Sequence, residues 1–181
     1  MIDNIFIVFE YSAIILLLSL FAILAIGYVF CGEETLECSP IINGYIFRRD
    51  SFEKNINIIL KITSTDYSLQ KKCNTNERGE FEFDPIFLKR KKVLSIFDGL
   101  FQTRFYVEVT TNIDNEKIII WKGVFRDFTI HKHERSNLLN LRCDINNPIR
   151  RYKFTSSGGY VTSQCSLTNF FSVDDLNTRK T

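Results

Sequence analysis

Residues that interrupt regular structure are scarce in this chain: 3 prolines and 8 glycines among 181 residues. That excludes a collagen-like repeat and a Pro/Gly-rich disordered chain. No Asn-x-Ser/Thr acceptor occurs, so N-glycosylation is not expected. Neither sign of charge prevails, with 23 basic residues against 21 acidic ones and a formal net charge of +2. Such a balance gives no electrostatic footprint for nucleic acid. No G-x-G-x-x-G, Walker-type loop, C-x-x-C or G-x-S-x-G is present. The recognisable dinucleotide, nucleotide-triphosphate, dithiol and hydrolase signatures are therefore missing. Internal repeats and low-complexity tracts are missing as well.

What the chain does contain begins with residues 11–32 (YSAIILLLSLFAILAIGYVFCG), which carry no charged side chain. A helix of ~22 residues is roughly 33 Å long, enough to cross a bilayer core. Residues 1–32 are accordingly read as a signal peptide or a signal-anchor helix. Ala25-Ile26-Gly27 supplies a small-x-small pattern for cleavage after Gly27, and a cut after Cys31 is a second option. Retention as a transmembrane segment is the alternative, because the first ten residues hold Asp3 and Glu10 but no basic residue. A buried core helix fits less well, since a helix apolar all round has no face for solvent.

Beyond Cys38 the apolar period switches to two. Ile56, Ile58, Leu60 and Ile62 alternate with Asn55, Asn57, Ile59 and Lys61. Phe81 and Phe83 alternate with Glu80, Glu82 and Asp84, and Phe105, Val107 and Val109 with Tyr106, Glu108 and Thr110. Phe128 with Ile130, and Leu139, Leu141, Cys143 and Ile145, continue the pattern. Each reads as a strand with one buried face. Residues 117–121 (KIIIW) read as a central strand, and residues 41–47 as the first, where Gly44 marks a bulge or a close backbone approach. Thr75-Asn76-Glu77-Arg78-Gly79 ends in a glycine suited to positive φ, and Asn112-Ile113-Asp114-Asn115-Glu116 reads as a hairpin loop. The expected fold class is all-β, a single β-sandwich of about seven strands over residues 38–171, preceded by the hydrophobic helix. Residues 84–100 read as a long connection that holds a short helix or an extra strand, and residues 172–181 as a flexible tail.

Five cysteines occur. Cys31 lies at the edge of the apolar run. Cys38, Cys73, Cys143 and Cys165 are disulfide candidates, and four cysteines allow three pairings. An oxidising compartment makes at least one bridge the expectation.

Few residues point to chemistry. His131 and His133 would share one face of a strand, a geometry that metal sites use, but a third ligand would have to come from elsewhere and no Cys/His cluster is nearby. Two solvent-facing imidazoles are the simpler reading. Lys89-Arg90-Lys91-Lys92 reads as a solvated loop tip rather than a surface for anionic lipid. Trp121 reads as core, and Ser157-Gly158-Gly159 as a turn. No catalytic, metal or cofactor-binding residue is expected.

The order of elements resembles the secreted transthyretin-like family of nematodes, a prealbumin-like β-sandwich. The resemblance runs from Ile42-Asn43-Gly44-Tyr45-Ile46, through the strand at Asn55 to Leu60, to the hairpin at Thr75 to Phe83 and the strand at Arg104 to Val109. It covers about residues 40–130. The chain departs from the family where Arg48-Arg49 and Thr110-Thr111 replace the usual cysteine and His-x-Cys positions. The resemblance implies an extracellular, non-catalytic body that binds a small apolar ligand or a protein partner. It does not extend to the related purine-breakdown hydrolases, whose channel histidines and Tyr-Arg-Gly-Ser-type tail are not matched here. The expected protein is thus secreted, with no enzyme activity, no cofactor, no nucleic-acid partner and membrane contact only through an uncleaved leader. A single-pass membrane protein is the alternative.

Overall fold

The structure is a computed structural model and describes residues 2–30, 32–65, 67–92, 104–126, 129–155 and 159–175. Cys31, the apolar patch at residues 93–97, Phe128, the Ser157-Gly158 turn and residues 176–181 lie outside the described residues. The chain divides into two compact units, Met1–Thr35 with Lys89–Leu100, and Leu36–Leu88 with Phe101–Thr181.

In the first unit α1 (Ile2–Phe30) is one unbroken helix of 29 residues, about 43 Å long at the standard rise. Among its described side chains, Leu16, Phe21, Ile23 and Val29 are 64–71% exposed. Among the described residues no helix is long and apolar enough to cross a membrane. At the end of this unit, Arg90 pairs with Glu34 at 2.7 Å and Lys91 with Glu33 at 3.8 Å.

The second unit is mostly β. Among the described residues the chain holds thirteen strands rather than about seven. β1 (Glu33–Ser39) pairs with β7 (Ile86–Lys91). A four-stranded sheet joins β10 (Leu141–Asp144), β2 (Ile42–Arg48), β3 (Ser51–Phe52) and β6 (Glu80–Phe83). The third sheet runs β13-β11-β12-β9-β8-β4-β5. These strands are β4 (Asn57–Thr63), β5 (Ser68–Asn74), β8 (Arg104–Ile113), β9 (Glu116–Arg126), β11 (Arg150–Lys153), β12 (Tyr160–Ser163) and β13 (Ser172–Asp175). β2 and β10 run parallel, whereas the other registered pairs are antiparallel.

The period-two pattern places the core. Ile58, Leu60 and Ile62 of β4, Phe105, Val107 and Val109 of β8, and Phe81 and Phe83 of β6 are buried, and their sequence neighbours are not. Both larger sheets feed one apolar cluster, in which each fully buried large side chain contributes roughly 1.5–3 kcal/mol. The β8–β9 hairpin closes on Asp114 and Asn115, both at positive φ (52° and 66°), as a two-residue turn of twisted strands requires. Val109 pairs with Trp121 but Thr110 with Ile119, so Ile120 is an inserted residue. That bulge lets the consecutive Ile120 and Trp121 both reach full burial. The Ser163 hydroxyl donates to the Ile120 carbonyl at 2.5 Å, and satisfies an acceptor that the bulge takes out of the ladder.

Several expectations need correction. His131 and His133 are not on a strand: His131 caps α2 (Lys132–Leu138), and His133 lies inside it. The cause is local, because the Glu134 carboxylate three residues on accepts the His131 N–H at 2.8 Å, a capping-box bond that starts a helix. Leu139 is the C-cap of that helix and is 48% exposed, so β10 begins only at Leu141. Lys89, Arg90 and Lys91 lie on β7, not on a loop tip. Ser172–Asp175, expected in a loose tail, form β13 on β11. Backbone pairing holds them there, and Val173 remains 41% exposed.

Candidate functional site

β2 is apolar on both faces. Ile42 and Ile46 point into the core, while Tyr45 and Phe47 face outward, half-buried. Phe47 is registered opposite Phe52 of β3, and Phe52 is 53% exposed. The Tyr45 ring lies 5.7 Å from Phe47 and 6.0 Å, edge-on, from Phe52. The three rings thus form a corner on the outer face of the four-stranded sheet. They line a cleft of about 340 Å³ together with Arg49, Asp50, Arg78, Glu80 and Arg142. That is within the volume range of small-ligand sites.

Three local structures bring the charges there. The β2–β3 connection is the two-residue turn Arg49-Asp50, and Arg49 takes φ 56°. In the turn before β6, the Asn76 side-chain oxygen accepts the N–H groups of Arg78 (2.9 Å) and Glu80 (3.0 Å). Gly79 between them takes φ 69°, and a Cβ there would meet the Ile46 carbonyl oxygen. Arg142 arrives on β10, with its guanidinium carbon 5.5 Å from the Tyr45 ring centre, a cation–π distance. Gly44 makes that approach possible, since a Cβ there would run into the Leu141 carbonyl oxygen. The expected close approach at Gly44 is therefore found.

The arginines of the cleft differ from three others in the chain. Arg48, Arg90 and Arg135 are each paired with carboxylates: Arg48 with Glu53 (2.8 Å) and Asp114 (2.6 Å), Arg90 with Glu34, and Arg135 with Glu37. Among the described residues, Arg49, Arg78 and Arg142 have no carboxylate within ion-pair distance. Glu80 accepts a bond from the Asn76 amide at 2.7 Å. A second recess of about 460 Å³ shares Tyr45 and Glu80 and is lined by Asn43, Asn74, Asn76 and Asn140.

The residues singled out by sequence lie elsewhere. Cys143 and Cys165 form a buried disulfide between β10 and the segment after β12. Cys38 and Cys73 are free thiols. Burial pushes the Cys38 thiol up to about 11, against a weaker opposing bond from the Leu88 backbone, so it holds no thiolate for nucleophilic work near neutrality. Cys73, half-buried, is also raised by burial. His131 and His133 stack at 5.5 Å, His133 on Phe154 at 4.7 Å, and Phe154 on Trp121 at 6.5 Å. The imidazoles are thus the outer end of a ring stack. Among the described residues no group of three metal-ligating side chains forms. Trp121 is fully buried, and among the described residues its indole N–H has no partner.

None of the cleft residues was singled out from the sequence. The available signal was at Tyr45 and Phe47. A strand with one solvent face should carry polar residues at those positions, and two aromatic rings there mark a surface with a use.

This arrangement defines an all-β protein with an aromatic and guanidinium cleft on its smaller sheet. The family described as a domain of unknown function (DUF6795) matches residues 42–148, more than half of the chain, and the chain belongs to that family. The matched span opens at β2 and closes just after β10, so it contains every residue lining the cleft. No curated protein and no solved structure matches.

Proposed function

We propose that this chain is an exported, non-catalytic binding module, a β-sandwich of the prealbumin-like kind, that holds a small ligand in the cleft at Tyr45, Phe47 and Phe52. The observation that carries the export is the exposure of apolar side chains on successive positions of α1, from Ile14 to Leu18 and on to Val29. Lipid or a translocation channel covers such a surface, and water does not. The buried Cys143–Cys165 bridge adds support, because structural disulfides belong to oxidising compartments. The reading as a binding site rests on the lining, where rings and guanidiniums stand beside Asp50 and Glu80.

A second reading keeps α1 in place as a membrane anchor. Its unbroken 29 residues favour this, since the apolar core of a cleaved leader is about 7–15 residues. Both readings place the β unit on the same side of a membrane. The test is a full chain fused at its C-terminus to a reporter enzyme that needs its own disulfides. The reporter is active with α1 present and inactive when residues 2–30 are deleted. Activity without α1, or none with it, contradicts the proposal.

A further inference from the structure

The reading of the cleft as a ligand site, on which this inference rests, leaves the chemistry of the ligand open, and the side chains narrow it. Tyr45, Phe47 and Phe52 offer ring faces and edges, which favour a flat, weakly polar body. Arg49, Arg78 and Arg142 offer forked donors that match a carboxylate or phosphate, and none is held by a carboxylate of the protein. Arg48, one residue from Arg49, is by contrast bonded to two carboxylates.

Arg49 adds a separate sign. It sits at φ 56° in a two-residue hairpin turn. Glycine takes that conformation freely, whereas a side chain is disfavoured there. Strain of this kind concentrates where a side chain is needed for binding. Asp50 and Glu80 set the limit on charge. With three guanidiniums against two carboxylates the cleft has an excess of one positive charge, which suits one anionic group rather than a polyanion.

We infer that the cleft takes a small organic anion, laying a ring face on the Tyr45–Phe47–Phe52 corner and directing one carboxylate or phosphate to Arg49, Arg78 and Arg142. A sugar acid and a nucleoside monophosphate share this chemistry.

The test is titration of the full chain in detergent, followed by calorimetry and by backbone amide shifts, with two matched pairs of probes: glucuronate against glucose, and adenosine monophosphate against adenosine. In at least one pair the charged member binds about tenfold tighter than its neutral partner. The pair that responds identifies the source. Raising salt from about 0.05 M to about 0.5 M weakens that binding severalfold. Arg142→Gln lowers the affinity about tenfold, and Lys71→Gln on β5, outside the cleft, leaves it unchanged. Arg49→Gly weakens binding while the melting temperature holds or rises, which a purely structural role for Arg49 would not give. If neutral and charged members bind equally at the cleft, the ligand site stands and the anion is wrong. If no probe moves the amides of Tyr45, Phe47 and Phe52, both fail.

Discussion

Gly44 of β2 lies opposite Leu141 of β10 in parallel register, so close that a methyl group on Gly44 would strike the Leu141 carbonyl oxygen. Both atoms in conflict belong to, or sit on, fixed backbone, so relief requires the strands to part. Gly44→Ala is expected to cost about 1–3 kcal/mol of stability in denaturant titrations, the usual range for overpacking. Gly159→Ala, where nothing lies within 4 Å, should stay within about 0.5 kcal/mol. Equal stability of the two variants would contradict the parallel pairing.

Burial, and then the neighbouring His131, hold the His133 imidazole below its ordinary 6.5. The unfolded chain therefore takes up that proton first. The stability His133 contributes is whole above about pH 6.5 and is lost as pH falls through its lowered folded value. Glu134, in the same turn, is raised above 4.5 by burial, against the opposing His131 N–H bond. Its contribution is whole below about pH 4.5 and is lost as pH rises through its raised value. The stability of the parent minus that of His133→Gln should thus shrink from pH 7 to pH 5. The parent minus Glu134→Gln should grow over the same interval. Parallel curves for both variants would refute this placement of the two groups.

The Cys143–Cys165 bridge closes a sequence separation of 22. Loop-closure entropy for a ring of that size gives about 3 kcal/mol. Replacing both cysteines by alanine should lower the unfolding free energy by about that amount, and reducing agent should lower it in the parent but not in the variant. An unchanged midpoint on reduction would show that the bond contributes nothing.

Cys38 is fully buried and Cys73 only partly, and burial raises both thiols. Iodoacetamide at pH 7.5 to 8 should therefore modify Cys73 before Cys38 in the folded, unreduced chain, as thiolate reactivity follows access and pKa. Cys38 should react only on unfolding. Equal rates in the native state would mean that the β1 end of the core is open.

The β body was legible where one face alone is buried. The alternation at Ile58 to Ile62, Phe81 to Phe83 and Phe105 to Val109 matches the buried face residue for residue, and Asp114-Asn115 and Gly79 take the positive φ their turns require. The pattern failed where a local bond outweighed it. His131, Ile130 and Leu139 look alternating, but the Glu134 cap makes a helix there. It also failed where strands carry little apolar signal. β5, β11 and β13 are held by their ladders, and ladders follow from register rather than composition. The cleft was hidden for another reason. Its residues come from β2, the β2–β3 turn, β3, the turn before β6, β6 and β10, which the pairings of β3, β6 and β10 with β2 bring together.

The most direct test of the account is the thiol state of the native chain in its own cells. Cells are quenched with an alkylating reagent, fractionated without reduction, and the cysteine peptides are mapped by mass spectrometry. The account predicts Cys143 linked to Cys165 in the membrane or exported fraction, with Cys38 and Cys73 unlinked. Recovery of the chain from the cytosol with Cys143 and Cys165 both alkylated would contradict it.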